Sequence, residues 1–481
     1  MKIALVSVPV WTIETPPLNV SYLKAYIERE GHTAKCFDVN TELYHKTKPE
    51  FQDYWRQAHY FKWQENQQYA ETVFPQVVKP HIKHFVEKIL EFKSDIVGIS
   101  VYSNCFTRTL AKELKKRNKN LLIVVGGQVC NDQLQGVPLK QSTDIDIIVK
   151  GEGEVTLKRI IDSFAKNGKV DDCPGCLIRR GKEFIDCGDY ERIQNIDSLP
   201  CPDFSDYDLS IYFDDFDASK PSKSLPILIS RGCNTPCDFC IQRVIWKSKL
   251  FTRKAEYVFD EMLRNKEKYG ISKFVFSDLL INGNIIELEK LCDLIIKNNF
   301  SCSWWGSAKV DKRMSLDLFK KMKKAGCHQL ALGIESASSP VLKAMGKPST
   351  AEDVKNFVTL MKEAGISIGS NLIIGYPSET RQDFANTLKF LSENKEIITT
   401  QPWPSVCVIF RGTGLYNKYL NDKDFKYVNA NDWSYKENTP DERKYRIETY
   451  KRFCLSTYDS FDMFNQERVE KGEKHKGNCV E

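Results

Sequence analysis

Over most of its length the chain alternates short β-branched runs with segments whose apolar residues recur at helical spacing. Lys2–Val8 predicts a strand. Leu18–Glu30 repeats apolar positions at Leu18, Tyr22 and Tyr26 and stops at Gly31, which predicts a helix. Thr33–Asp38 reads as a second strand, and the polar, aromatic-rich stretch Thr41–Lys83 as an inserted helical segment. Strands follow at Asp95–Val101, Leu121–Val125 and Ile145–Val149, with a helix at Phe106–Arg117. This alternation predicts a parallel, doubly wound sheet. Such sheets bind ligands outside the carboxyl ends of their strands. The loops Ser100–Asn104, Gly126–Cys130 and Gly151–Glu154 all fall there.

Residues 161–224 read as a connector, with a hairpin at Cys176–Asp186 and a Pro/Asp/Tyr-rich stretch at Leu199–Tyr212. The alternation then restarts. Strands are expected at Ile227–Ser230, Lys273–Phe276, Cys302–Trp305, Gln329–Ile334, Ser367–Ile374 and Ser405–Phe410. Helical periods lie between them at Ala255–Lys268, Ile285–Lys297, Leu316–Ala325, Ala351–Ala364 and Thr380–Asn394. Six strand–helix units are too few for a closed eight-stranded barrel and suit an open, partial (β/α)6 barrel with chemistry at the C-terminal strand ends. The expected organisation is α/β throughout: a Rossmann-like domain over 1–160 with a helical insert at about 41–95, the connector, a partial barrel over 225–425, and a C-terminal extension over 426–481 with a helix at Asp441–Tyr458.

The 481 residues, 41% hydrophobic and 28% charged, exclude a disordered chain or a small disulfide scaffold. No apolar run reaches the length of a membrane span, and the N-terminus lacks the pattern of a signal peptide, so a cytoplasmic location is expected. A net charge of +6 spread over scattered runs, such as Lys115–Arg117, argues against a dedicated nucleic-acid surface. In a reducing compartment the 16 cysteines are unlikely to form structural disulfides. Isolated ones (Cys36, Cys105, Cys130, Cys292, Cys302, Cys327, Cys407, Cys454) read as small core residues. Cys173 and Cys176 flank a Pro-Gly turn expected of the hairpin, so their CxxC spacing reads as coincidence; a redox dithiol is the alternative. The aromatics from Tyr44 to Trp63 are expected to pack the insert against the barrel mouth, with a cap over the substrate as the functional alternative.

Cys233, Cys237 and Cys240 are different. They share one short loop directly after the first barrel strand. Three thiolates suit soft iron or zinc, and zinc would want a fourth Cys or His, which the next fifty residues lack. On a 4Fe-4S cluster, three cysteines leave one iron open to a small molecule. This CxxxCxxC loop, with Phe239 before its last cysteine, resembles the radical S-adenosylmethionine (radical SAM) superfamily. Gly333-Ile334-Glu335-Ser336 and Asn371–Thr380 resemble that family's fourth- and fifth-strand motifs. The resemblance implies a 4Fe-4S cluster on the three cysteines. It also implies a SAM site drawn from Phe239, Ser277, Asp278, Ser307, Lys309, Glu335, Ser336, Asn371 and Gly375. Read from its residues alone, Glu335 is equally a partner for a helix N-terminus.

The first domain narrows the family. Pro16-Pro17-Leu18, Gly98-Ile99-Ser100, Val125-Gly126-Gly127 and Gly151-Glu152-Gly153-Glu154 together resemble cobalamin-binding radical SAM proteins, as does the spacer with Trp246 and Phe251-Thr252-Arg253. The resemblance implies cobalamin contacts from Ser100, Tyr102, Ser103, Asn104, Gly126, Gly127, Gln128, Gly151, Glu152, Gly153 and Glu154. Glycines there would let the backbone approach a bulky ligand; the plain alternative is that Gly126-Gly127 merely closes a strand. None of the seven histidines sits in the Asp-x-His-x-x-Gly setting that supplies an axial ligand in many cobalamin proteins. Tyr102 is then the expected neighbour of the lower cobalt face, and a degenerate domain without cobalamin is the alternative.

The implied activity is methylation of an unactivated carbon through a 5′-deoxyadenosyl radical and methylcobalamin. The small-molecule or peptide substrate is not named by any motif, and electrons would come from a donor such as flavodoxin or ferredoxin. The alternatives are a non-methylating cyclisation or rearrangement, a methylthiotransferase and a non-catalytic cofactor sensor. A methylthiotransferase would need a second cluster, for which only Cys36, Cys105 and Cys130 are at hand, in surroundings that do not match. No catalytic acid or base is assigned.

Overall fold

A computed structural model of the protein describes residues 1–56, 59–64, 66–130, 137–213 and 222–458. The last part of the C-terminal extension, 459–481, lies outside the described residues. The chain divides into two compact units. One comprises Met1–Ala308, Lys321–His328 and Phe410–Asn417; the other comprises Lys309–Lys320, Gln329–Ile409 and the described part of Lys418–Glu481.

The first unit opens with five parallel strands, β1 (Lys2–Ser7), β2 (Thr33–Asp38), β3 (Ile96–Ser100), β4 (Leu122–Gly126) and β5 (Ile147–Val149). The connector adds the hairpin β6 (Cys176–Arg180) and β7 (Glu183–Asp186), antiparallel, at one edge, giving the order β2-β1-β3-β4-β5-β6-β7. The order reverses between β1 and β3, and an open α/β sheet forms its ligand crevice at such a switch point. Alternation within β1 sends Ala4 and Val6 to one apolar layer and Ile3 and Leu5 to the other. Cys36 lies in the second layer and Cys105 and Cys130 in the first, so these three cysteines do not converge on one cluster. Cys173 and Cys176 are unbridged and buried in the second layer, beside the turn expected of them.

The insert is helical as expected but packs elsewhere. Trp55 and Trp63 are buried with Phe85, Phe106 and Val6 in the first sheet's own core, not against a barrel mouth. The Trp63 ring is fully buried, donates from Nε1 to Tyr54 O at 2.8 Å, and lies 6.4 Å from Phe106. Large aromatic faces are best desolvated in a layer that already exists, and the apolar layer over β1 and β3 offers it. A wide helical segment, Tyr69–Val78, contains Pro75, which lacks the N–H an ordinary turn would use.

Past the connector the first unit also holds β8 (Ser224–Ile227), β9 (Ser230–Gly232), β10 (Leu250–Thr252), β11 (Lys273–Phe276) and β12 (Ser303–Ala308). β8, β11 and β12 run parallel, and β9 pairs antiparallel with β10. The expected strand Ile227–Ser230 is therefore two pieces. The parallel ladder ends at Ile227, and the next amides turn to a side chain, as described below.

The second unit has β13 (Cys327–Glu335, entering from the first unit), β14 (Ser367–Ile374) and β15 (Trp403–Val406), parallel in that order. The helices Ala351–Glu363 and Arg381–Glu393 start from capping boxes, Thr350 with Asp353 and Thr380 with Asp383. The last strand starts and ends earlier than the expected Ser405–Phe410, because Ile409 N leaves the sheet to bond Ala430 O at 2.9 Å. The extension adds a small hairpin, β16 (Phe425–Tyr427) and β17 (Trp433–Tyr435), which the charged sequence did not announce, and the helix Pro440–Thr457. No helix among the described residues is long and apolar enough to cross a membrane.

Trp63→Ala is expected to cost about 3–5 kcal/mol, the range for deleting a large aromatic from a core. Urea unfolding of the purified protein measures it; Trp63→Phe should lose clearly less.

Candidate active site

The cysteine loop begins from a break in the first barrel strand. Asp278, just after β11, is 6% exposed and accepts hydrogen bonds from Ile229 N at 3.1 Å, from Ser230 N, and from Ser230 Oγ at 2.6 Å. Arg253 supports the same break, donating from its backbone N to Ile229 O at 2.7 Å and from Nη1 to Leu228 O at 3.1 Å. Burial pushes the Asp278 carboxyl up to about 7, against the opposing pull of its Ser230 and backbone donors. Expected as a SAM contact, Asp278 thus has its carboxylate engaged by the strand that launches the loop.

Gly232 then takes φ +94, and a Cβ there would overlap Lys249 O, so no side chain fits between β9 and the turn before β10. Cys233 Sγ accepts from Thr235 N at 3.4 Å, and Cys240 N reaches Cys237 O at 3.4 Å, so the loop is compact. Cys233 and Cys240 are partly exposed and Cys237 is buried. Leu415 N donates to Asp238 O at 2.8 Å and fixes the far side of the loop.

Beside the loop, within the first unit, lies a cavity of about 520 Å³. Its wall includes the ends of β3, β4 and β5 through Ser100, Tyr102, Gly126, Gly127, Gln128 and Gly151–Glu154. It also includes Ser230, Arg231 and Gly232, immediately ahead of Cys233, and Ser277. Gly127 has φ +125, and a Cβ would stand 3.1 Å from Val101 O. At Gly151 a Cβ would overlap the Tyr190 ring, so the glycine keeps the wall open.

Two expected cobalamin contacts are absent from this wall. Ser103 Oγ caps the helix Asn104–Arg117 through Phe106 N at 3.3 Å and bonds Trp63 O; Asn104 is 2% exposed in that helix's first turn. Both are drawn inward by the buried insert. The wall instead gains residues that sequence reasoning missed. Trp11 stacks on Tyr102 with centroids 4.9 Å apart. Asn19 donates to Ser100 Oγ at 2.6 Å and Tyr102 Oη at 3.3 Å. Burial pushes the Tyr102 phenol up to about 12. No histidine lines the cavity among the described residues.

Glu152 and Glu154 line the cavity, yet their carboxylates are engaged. Arg231 reaches Glu152 at 3.1 Å and Glu154 at 2.7 Å, and Arg192 reaches Glu152 at 3.0 Å. All four side chains are nine-tenths buried or more.

The remaining expected SAM contacts belong to the second unit, apart from Phe239 and Ser307, both partly exposed in the first. Glu335 has φ +64 at a register shift in β13, uncommon backbone for a residue with a side chain. Its carboxylate pairs with Lys347 Nζ at 3.3 Å, and Lys347 also donates to Gly333 O at 2.6 Å. The following helix takes its N-cap from Ser338. Burial pushes the Glu335 carboxyl up, while Lys347 pulls it down. Ser336 is 1% exposed, its hydroxyl within 3.2 Å of Thr387 Oγ1. Gly375 N donates to Glu379 at 2.7 Å, whose carboxylate also pairs with Arg446. Lys309 lies 3.8 Å from Asp311, and Asn371 is exposed on β14.

Comparison with known proteins identifies the domain that carries the cysteine loop. The family model described as the radical SAM superfamily matches residues 227–391, from the end of β8 into the helix Arg381–Glu393. Residues 227–391 thus carry a radical SAM domain. It is 29% identical over 377 residues to an uncharacterized methyltransferase of Pyrococcus horikoshii, covering 78% of this chain and 72% of that protein. It is 25% identical over 355 residues to the anaerobic magnesium-protoporphyrin IX monomethyl ester cyclase of Cereibacter sphaeroides, covering 70% of this chain and 56% of that one. Among solved structures, the fold matches the radical S-adenosylmethionine methyltransferase TsrM of Kitasatospora setae, determined with cobalamin and a 4Fe-4S cluster bound. The TM-score is 0.62 at 16% identity, over 86% of this chain and 76% of that one.

The donor set of this domain suits soft iron. Two thiolates on a single zinc ion stand about 3.8 Å apart, given bonds of ~2.3 Å in tetrahedral geometry. Among the described residues no three or more His, Cys, Asp or Glu side chains gather as a single-ion site. Three cysteines on one compact, partly exposed loop supply the soft thiolate donors that iron takes.

Asp278→Asn separates charge from shape. The raised Asp278 pKa means that the native state holds a proton the unfolded chain gives up near pH 4. The stability from the protonated form is present in full below about pH 4 and lost as pH rises through about 7. The stability of the wild type minus that of Asp278→Asn should therefore fall between pH 5 and 8. Urea titrations of both proteins across that range measure it; a flat difference would mean that the carboxyl stays ionised throughout.

Proposed function

We propose that the chain is a cobalamin-dependent radical SAM methyltransferase acting on an unactivated carbon. One observation carries this reading: a single cavity is walled both by the ligand-binding edge of the doubly wound sheet and by the residues immediately ahead of Cys233. Its supports are the family match, the fold match to a cobalamin-bound methyltransferase and the likeness to the Pyrococcus protein. In this reading 1–160 is the cobalamin-binding domain, 161–224 the connector, 225–425 the radical SAM barrel and 426–481 an extension.

Cys233, Cys237 and Cys240 would hold a 4Fe-4S cluster and leave one iron for the amino and carboxylate groups of SAM. Gly126, Gly127, Gly151 and Gly153 would let backbone approach the corrin, and the stacked Tyr102 and Trp11 would offer it an aromatic surface. When bound, these groups supply a hydrogen-abstracting radical and a transferable methyl group. The residues of the chain bind, orient and exclude water. Glu335, buried and held by Lys347, would receive the amino group or ribose of SAM. Reducing electrons would come from a flavodoxin- or ferredoxin-class donor, and the substrate would be a small molecule or peptide.

A second reading, cyclisation without methyl transfer, is favoured by the likeness to the Cereibacter cyclase. S-Adenosylhomocysteine distinguishes the two, because it forms only with methyl transfer. Anaerobically reconstituted protein with SAM, cobalamin and reductant is expected to yield 5′-deoxyadenosine, and with substrate also S-adenosylhomocysteine. The triple variant Cys233→Ala, Cys237→Ala, Cys240→Ala should carry almost no iron or sulfide and yield neither product. A full complement of iron in that variant would sink the reading.

Glu335→Gln keeps the shape and loses the charge. It should weaken SAM binding by about 1–3 kcal/mol, the scale of a hydrogen bond to a charged group. Isothermal titration of the reconstituted protein with SAM reads the loss. Unchanged affinity would remove Glu335 from the site.

A further inference from the structure

We propose that Arg231 is a positioning residue that couples occupancy of the cavity to the order of the cysteine loop. This rests on the reading of the cavity as the corrin site. Arg231 lies in β9, two residues before Cys233. Its guanidinium is spread between Glu152 and Glu154, at 3.1 and 2.7 Å, and lies 5.1 Å from the centroid of the Tyr22 ring. The second oxygen of Glu152 accepts from Arg192 Nε at 3.0 Å and Ile193 N at 2.9 Å. Arg192 is held in turn between Trp246 and Phe251, with centroid distances of 4.5 and 4.8 Å. Two arginines and two glutamates thus form a neutral, buried quartet.

Such a quartet is a poor device for stability alone. Desolvating four charges offsets most of what their attraction gains, and apolar residues of equal volume often do as well. It specifies geometry instead. A bidentate guanidinium admits few orientations, and two separate carboxylates of one loop fix both of its ends.

Position gives that geometry a use. Glu152 and Glu154 follow β5 and belong to the cavity wall, as do Arg231 and Gly232. The backbone just before Arg231 is already fixed from the barrel side by Asp278. The backbone at Arg231 is held in turn by its pairing with β10, so the start of the cysteine loop meets the cavity wall through the Arg231 side chain, whose partners belong to that wall. A corrin filling the cavity would pack against the Gly151–Glu154 loop and restrict the two carboxylates to the arrangement that holds Arg231. The cysteines would then be presented in one geometry, and the cluster, once bound, would favour the same arrangement of the wall.

Coupling of this kind is reciprocal. A bound cluster must tighten the cavity for its ligand by the factor with which that ligand tightens the loop for the cluster. The test is hydroxocobalamin binding, followed by visible absorbance, to cluster-loaded protein and to cluster-free protein freed of iron by chelation. In the wild type the loaded form should bind about 5- to 150-fold more tightly, the usual range of coupling between sites. In Glu154→Gln, and independently in Arg231→Lys, which lacks the rigid planar fork that reaches the two carboxylates from separate nitrogens, the ratio should fall toward one. A merely structural role would weaken both forms together and leave the ratio at its wild-type value. That outcome in both variants overturns the proposal, as does a ratio of one in wild-type protein that binds hydroxocobalamin. If neither wild-type form binds it, the corrin reading itself fails, and the coupling with it.

Discussion

A buried carboxylate takes the place of a strand ladder at the point where the cysteine loop begins, and much of the local arrangement depends on it. A strand that continued past Ile227 could give only one of the amides of Ile229 and Ser230 to its neighbour β11, because consecutive N–H groups point to opposite sides and β8 lies at the sheet edge. Asp278 takes both instead. The chain can therefore leave the sheet without orphaning two buried N–H groups, a loss each of which costs about 1–3 kcal/mol. Once free, it pairs with β10 in the opposite sense, closes tightly at Gly232 and carries the cysteines in a compact loop. The cost of the arrangement is a desolvated charge, visible in the carboxyl being pushed up to about 7.

The same logic recurs at Glu335 and Glu379, two more buried carboxylates at strand ends, each pushed up by burial and pulled back by a cation, Lys347 and Arg446. They differ in what else they hold. Glu379 also accepts from Gly375 N and closes a turn. Glu335 sits in left-handed backbone at a register shift, and strain of that kind persists only where the surroundings fix it. Strain together with a desolvated charge separates Glu335 from a carboxylate that merely ends a strand.

The order of strands and helices was legible because the parallel strands of the doubly wound sheet are buried on both faces and read as apolar runs between helical periods. The cysteine loop was legible because its chemistry is local in sequence. Side-chain direction was not. Glu152 and Glu154 could be placed at a strand end, but their turn toward Arg231 depends on a partner 77 and more residues away. Ser103 and Asn104 follow β3 as expected but form the cap and first turn of a helix, and the burial of Trp63 draws them from the wall. Trp11 carried no motif, and only the stacking on Tyr102 gives it a place. The break after Ile227 was hidden because Ile227–Ser230 is apolar enough to read as one strand, and the competing acceptor lies nearly fifty residues downstream.

The cavity wall shows how little freedom the sequence has there. Gly127 and Gly151 have positive φ, and at each an added Cβ meets Val101 O or the Tyr190 ring. Tyr190 is itself fixed from the far side, its hydroxyl donating to Ile245 O, at the end of the short helix that follows Cys240. Gln242, in that helix, donates to Gln128 at 3.0 Å, after β4. The segment after the cysteines is thus tied to the rim of the doubly wound sheet at Gln128 and to the connector at Tyr190, as the segment before them is tied through Arg231. A loop held at both flanks to the wall of one cavity cannot adjust without that wall adjusting too. For chemistry that needs two bound groups at a fixed separation, placing both on one interlocked set of loop ends removes the reorganisation that independent sites would require.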